Sequence, residues 1–256
     1  MSQSRHALVT GASKGVGRGI ALGLAEAGWS IGVNYHGDRN GAEATAEAVR
    51  KHGVAAEVIQ GDVGSSSDVD RMLEQFHTAF ASIDLLVNNA GVQTWAPLLD
   101  LKEEDFDATI RTNLKGCFLC TQRAARRMKN TGGGVIVNIG SGANKMPFPC
   151  LVDYSASKGG IQQLTMVSAV ELGPLGIRVN CVAPGAIEIE RTKLEAPDYA
   201  TTWSPLTPMR RIGRVEDVAQ AVVYLADDRA SFVSGQTLFV DGGLFSQGQW
   251  AYGEGG

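Results

Sequence analysis

The 256-residue chain is 44% hydrophobic and 20% charged, with a formal charge of −4, which is enough apolar mass for the core of one α/β domain without requiring a second. The mild negative charge and the absence of a lysine- or arginine-rich tail argue against nucleic acid or anionic membrane as a partner, since both need a concentrated basic face. Residues 1–5 lack the apolar stretch of a signal peptide and no run is long enough to span a bilayer, so a cytoplasmic protein with a small-molecule substrate is expected.

In chain order, short apolar runs alternate with longer amphipathic ones. Strands are predicted at 6–9, 30–35, 55–60, 83–87, 134–139, 177–182 and 237–240, and helices at 16–27, 42–51, 67–81, 106–128, 154–172 and 215–226. The strands are rich in Val, Ile and Leu without polar alternation, which suits a parallel sheet covered on both faces. The alternation predicts a single doubly wound, Rossmann-type α/β domain over 1–256, with a mostly parallel seven-stranded sheet and right-handed crossovers. The stretch 184–214 breaks the pattern. It has no clear periodicity, holds Pro197, Pro205 and Pro208, and is too long for a plain connection, so a substrate lid is expected at about 186–213.

Ligands of such a fold gather at the carboxyl ends of the strands. The first of these ends carries Thr10-Gly-Ala-Ser-Lys-Gly-Val-Gly17. Glycines at 11, 15 and 17 let backbone approach a pyrophosphate and let the helix N-terminus present its N–H groups to the anion. By itself, such a turn can also serve only to tighten a strand-helix junction. A second motif, Tyr154-Ser-Ala-Ser-Lys158, opens the helix at 154–172. Four positions apart, Tyr154 and Lys158 share one helix face, where the ammonium favours the phenolate and lowers the cost of moving its proton. The phenol could then serve as general acid or base. Taken alone, the pair is also what a solvated helix face looks like. Cys117 and Cys120 form a C-x-x-C in an apolar, mid-helix stretch with Cys150 and Cys181 far away, so small core residues are expected and no metal site.

Together, Thr10-Gly-x-x-x-Gly-x-Gly17, Asn88-Asn-Ala-Gly91, Asn113, Ser141, Tyr154-x-x-x-Lys158 and Pro184-Gly185 resemble the motif set of the short-chain dehydrogenase/reductase family, in order and over essentially the whole chain. The resemblance implies an NAD(P)-dependent oxidoreductase whose catalytic set is Asn113, Ser141, Tyr154 and Lys158. Tyr154 would exchange a proton with substrate oxygen, and Lys158 would bind the nicotinamide ribose. Ser141 would hold the substrate carbonyl or hydroxyl, while Asn113 would kink its helix and anchor a water leading to Lys158. Gly11, Ser13, Lys14, Gly15, Val16 and Gly17 would cradle the cofactor. Asp62 and Val63 would contact adenine, Asn89, Ala90 and Gly91 would pack against the cofactor, and Pro184, Gly185 and Ile187 would hold the nicotinamide. Family likeness also implies a homotetramer. A non-catalytic nucleotide-sensing protein is the remote alternative, but it would be expected to lose Tyr154, Lys158 or Ser141, and none is lost.

Within the family, the chain is similar to the bacterial glucose dehydrogenases, through Lys145-Met-Pro-Phe-Pro149 and Pro184-Gly-Ala-Ile187, and to the 3-oxoacyl-carrier-protein reductases. Gln93, Ala143 and Glu188 stand where the glucose enzymes usually have a glutamate, a histidine and an asparagine. Gln93, Ser141, Ala143, Asn144 and Glu188 are the candidate substrate residues, with Trp95, Glu190, Arg191 and Trp203 further along the expected pocket wall. Donors and acceptors beside aromatic faces suit a polyhydroxylated molecule. A sugar or polyol hydroxyl is therefore expected, with 3-oxoacyl or simple ketone reduction as the alternative. The end of the second strand, Asn34-Tyr-His36, has Tyr35 at the usual acidic position and so no carboxylate there to repel a 2′-phosphate; Lys14 stands just before Gly15 and Arg39 is nearby, while Asp38 and an uncharged His36 leave room for both cofactors. NADP is therefore expected to be preferred, with NAD use possible. The tail 244–256 carries Phe245, Trp250 and Tyr252, apolar surface that oligomer contacts would cover.

Overall fold

Seven strands form the frame, and each is apolar along its length because both faces of the sheet are covered. The computed structural model of the chain describes residues 5–247, apart from the side chains of Arg191, Lys193 and Glu195. The strands β1 (Arg5–Val9), β2 (Trp29–Tyr35), β3 (Ala56–Gln60), β4 (Leu85–Asn88), β5 (Gly134–Ile139), β6 (Ile177–Pro184) and β7 (Thr237–Val240) lie in the order β3-β2-β1-β4-β5-β6-β7. Every neighbouring pair is parallel. Successive side chains alternate between faces. Ala7 and Val9 join one buried cluster with Val33, Val87 and Val137, while Leu8 joins the other with Ile59, Leu86 and Ile136.

The helices are α1 (Gly15–Glu26), α2 (Arg39–Arg50), α3 (Ser66–Ala79), α4 (Glu103–Thr109), α5 (Gly116–Met128), α6 (Val152–Leu172), the short α7 (Glu190–Glu195) and α8 (Tyr199–Trp203), and α9 (Val215–Ala226). α1, α2 and α9 cover the first face through Ile20, Leu24, Val49 and Val222. α3 and α5 cover the second through Met72, Phe76, Leu119 and Met128.

Departures from the predicted elements have local causes. α2 begins at Arg39 rather than 42, because the Asp38 carboxylate accepts a hydrogen bond from Gly41 N and caps the helix. The helix expected at 106–128 begins at Glu103 and carries a π-helical turn, Ile110–Lys115, between α4 and α5. Within 186–213 the chain forms α7 and α8, of six and five residues, too short for a helical period to stand out. Cys117 and Cys120 lie buried in the first turns of α5, within the helical run that starts at Glu103. Burial pushes the Cys117 thiol up to about 12 and the Cys181 thiol up to about 11, so both stay protonated at neutral pH and act as core residues.

Candidate active site

The strand order turns back on itself between β1 and β4, which opens a crevice at the carboxyl ends of the strands. A cleft of about 640 Å³ lies there. Gly11, Ser13, Lys14, Gly15, Val16 and Gly17 line it from the β1–α1 turn, His36 from the end of β2, and Asp62 and Val63 from the end of β3. Asn89, Ala90, Gly91 and Gln93 line it after β4, Ser141 after β5, Tyr154 and Lys158 from α6, and Pro184, Gly185 and Ile187 from the end of β6 onward.

The glycine turn is shaped by close approach. Gly11 has φ +62°, and a Cβ there would sit 2.9 Å from the Ala90 Cα; at Gly17 a Cβ would strike the Gly11 carbonyl oxygen. What remains is a backbone cradle that a side chain would fill, beside the first N–H groups of α1. A dinucleotide's pyrophosphate fits such a cradle. Side chains hold the turn in place. Thr10 Oγ1 donates to the Val87 carbonyl and accepts from the N–H groups of Asn89 and Ala90, and Asn89 Nδ2 donates to the carbonyls of Thr10 and Gly11. The buried amide of Asn34 accepts from Gly11 N and donates to the carbonyls of Ile59 and Gly61, so it fixes the turn to the end of β3.

Lys158 is only 4% exposed, and its Nζ donates to the Ile139 carbonyl at 2.7 Å while lying 5.4 Å from the centre of the Tyr154 ring. The sheet thus aims the ammonium at the tyrosine. Ser141 Oγ accepts from Ala143 N at 3.2 Å and starts the 3-10 turn Gly142–Asn144, which leaves the hydroxyl at the mouth of β5. Asn113 sits in the π-helical turn and is 1% exposed. Its Oδ1 accepts from Val92 N at 2.8 Å, and its Nδ2 donates to the Val92 carbonyl at 2.9 Å and to Ser157 Oγ at 3.0 Å. The π turn brings that amide between the loop after β4 and α6. A phenol beside a buried ammonium, with a hydroxyl in the same cleft, can hold an oxygen and move a proton to or from it.

Several predicted residues stand elsewhere. Arg39 turns along α2 towards Glu43, 3.6 Å away. Ala143 is buried within the 3-10 turn, and Asn144 packs its amide behind Gly140. Glu188 lines a neighbouring groove of about 660 Å³ between α1 and α9. Trp95 is 67% exposed, and Trp203 packs on Tyr199 and Phe148. Phe245 is buried against Phe148, while Trp250, Tyr252 and the Arg191 side chain lie outside the described residues.

Sequence reasoning missed Arg111 and Thr112 on the π turn, Thr192 on α7 and Tyr199 on α8, all of which line the cleft. Arg111 Nη1 donates to Asp62 Oδ2 at 2.8 Å. Burial pushes the Asp62 carboxyl up, but the guanidinium and the Gly64 N–H outweigh it and hold the group below the usual carboxylate range. Glu190, at the start of α7, accepts from Gly15 N at 3.1 Å and ties α7 to the glycine turn. No local pattern marks these residues, because their roles depend on which distant elements meet.

A family model described as Enoyl-(Acyl carrier protein) reductase matches residues 11–245. The chain is 40% identical over 242 residues to the 3-oxoacyl-(acyl-carrier-protein) reductase FabG of Staphylococcus epidermidis, covering 94% of this chain and 99% of that one. The gluconate 5-dehydrogenase of Burkholderia cenocepacia, solved with NADP and tartrate, is similar with a TM-score of 0.89 and 37% identity, over 95% of this chain and 96% of that one. Acetoin dehydrogenase YohF of Salmonella typhimurium also has a TM-score of 0.89, at 34% identity over 96% and 98% of the two chains. The match runs from the glycine turn through the Tyr154–Lys158 helix to the end of the sheet: the chain belongs to the short-chain dehydrogenase/reductase family and is an NAD(P)-dependent oxidoreductase.

Proposed function

We propose that this protein uses NADP in preference to NAD to interconvert a carbonyl and a hydroxyl on a small polyhydroxylated compound, with Tyr154 as the proton carrier. The observation that carries the reading is that one cleft is lined both by the glycine turn and by Ser141, Tyr154 and Lys158. The nicotinamide, when bound, supplies or accepts the hydride. The chain does the rest. Ser141 and Tyr154 hold the reacting oxygen, Tyr154 protonates it on reduction or deprotonates it on oxidation, and Lys158, fixed by the Ile139 carbonyl, stabilises the phenolate. Asn113 keeps the loop after β4 at a set distance from α6. The segment 186–213 acts as the lid of a single catalytic domain.

The cofactor preference rests on the surroundings of β2. Lys14, His36 and Asp38 line the cleft there, and Asp38 Oδ1 accepts from Gly41 N as it caps α2. A 2′-phosphate therefore meets a cation and an imidazole beside a carboxylate whose charge is partly offset by the N-terminus of α2. Arg39, turned to Glu43, contributes less than its place in the sequence suggested.

For the substrate, Gln93, Ser141, Glu190 and Tyr199 give the cleft wall several donors and acceptors. Such a wall favours hydroxyl-bearing compounds because analogues without hydroxyls leave its polar groups unpaired. Reduction of a 3-oxoacyl thioester is the second reading, favoured by the 40% identity to the FabG reductase. An acidic carrier protein would need exposed basic surface, yet Arg123 pairs with Asp70 and Arg127 with Glu74, so α3 neutralises part of the basic stretch on α5. That ranks the carrier second. Free cysteines at 117, 120, 150 and 181 support a reducing, cytoplasmic setting, and no described helix is long and apolar enough to cross a membrane.

The test is a panel followed by nicotinamide absorbance, with NAD and NADP, on gluconate, glucose, sorbitol, acetoin and a 3-oxobutanoyl thioester. The expected result is turnover of at least one polyhydroxylated compound and a kcat/KM about tenfold or more higher with NADP. A strong preference for NAD would overturn the cofactor assignment, and turnover of the thioester alone would overturn the substrate class.

A further inference from the structure

Asp153 immediately precedes Tyr154 and is 0% exposed. Burial of a carboxylate is costly unless hydrogen bonds replace its water. Three donors do so here. Oδ1 accepts from Tyr154 N at 2.6 Å, and Oδ2 accepts from Thr109 Oγ1 at 2.6 Å and from Thr94 N at 3.1 Å. The donors come from three separate segments: the first turn of α6, the end of α4 and the loop after β4. A carboxylate is suited to this junction because it only accepts, whereas an amide would turn an N–H towards a donor. Bonds to a charged acceptor are also the stronger kind.

The same loop is held at a second point. Asn113 binds both the N–H and the carbonyl of Val92, and Asp153 binds Thr94 N. Gln93, between the two anchored residues, lines the cleft. We propose that Asp153 is a positioning residue whose carboxylate locks the loop bearing Gln93 to the backbone of Tyr154, so that substrate wall and proton carrier keep one spacing. The inference rests on Tyr154 as the proton carrier for its catalytic consequence, but not for the lock itself.

The lock is tested without a substrate by backbone hydrogen exchange on the NADP-bound protein, comparing wild type with Asp153→Asn, Thr109→Val and Thr109→Ser. Asp153→Asn is expected to speed exchange at Thr94 N by about tenfold or more, with the β5 amides unchanged. Thr109→Val should speed it less, and Thr109→Ser, which keeps the hydroxyl, should match wild type. On the panel compound that wild type turns over best, kcat in Asp153→Asn should fall about tenfold or more while the NADP Kd stays within about threefold. Unchanged exchange at Thr94 N, or a loss confined to cofactor affinity or thermal stability, overturns the proposal. Should Asp153→Asn fail to fold, faster exchange in Thr109→Val than in Thr109→Ser supports the lock, and equal exchange overturns it. If Tyr154 proved not to carry the proton, the exchange result would still stand, so the two failures are separable.

Discussion

Hydrogen-bond partners decide what each charged side chain in the cleft does. Tyr154, Lys158 and the three glycines of the first turn were legible in the sequence because their chemistry is contained within one helical turn or one strand-helix junction. Arg111 and Asp153 were not, since their partners Asp62 and Thr94 lie 49 and 59 positions away and only the fold brings them together. Arg39 is the converse case: proximity in sequence to β2 suggests the cofactor, whereas a local partner four positions on, Glu43, stands beside it on α2. The Asp62–Arg111 pair has a measurable pH signature. Asp62 is held below the usual carboxylate range when folded, so its stabilisation is present above the unfolded value of about 4 and is lost as pH falls through the lower, folded value. Arg111 is about half exposed, so wild type should exceed Arg111→Ala by about 1 kcal/mol or less at neutral pH. Denaturant unfolding should show that difference shrinking below about pH 4. A difference independent of pH would rule out the Asp62 charge as its cause.

Elements were more legible than their junctions. Strands buried on both faces announce themselves as continuous apolar runs, and β5, β7 and α9 fall at their expected bounds. The π turn at Ile110–Lys115 gives no such signal, because one extra residue in a turn barely disturbs the apolar period. The fit of α1 against α9 was also hidden. Gly19 and Gly23 lie one turn apart on α1, and a Cβ at Gly19 would fall 2.6 Å from the Val215 Cβ. Helix propensity alone says that Gly19→Ala should gain about 1 kcal/mol. Overpacking costs about 1–3 kcal/mol, and the neighbour here is a branched Cβ rather than a flexible chain end, so the clash should win. Thermal melting is expected to show a lower Tm for Gly19→Ala, by a few degrees. A higher Tm would mean that α9 yields and that the two helices are not tightly fitted.

At the scale of the whole molecule, the described surface carries several uncovered apolar side chains. Phe118 on α5 and Met166, Val167 and Val170 on α6 are exposed, as are Tyr224, Phe232 and Leu238 near β7, which ends the sheet. Apolar helix faces and a strand that is at the sheet edge among the described residues are surfaces that a further copy of the chain can cover. Light scattering at micromolar concentration is expected to return a tetramer, and a monomer mass would contradict that expectation. Sheet, glycine turn and α6 converge on one cleft, and the account depends on Tyr154 moving a proton there. Tyr154→Phe keeps the ring and removes that proton. Followed by nicotinamide absorbance on the best panel compound, its kcat should fall about a hundredfold or more while the NADP Kd stays near wild type. Retention of most of the turnover would contradict the account.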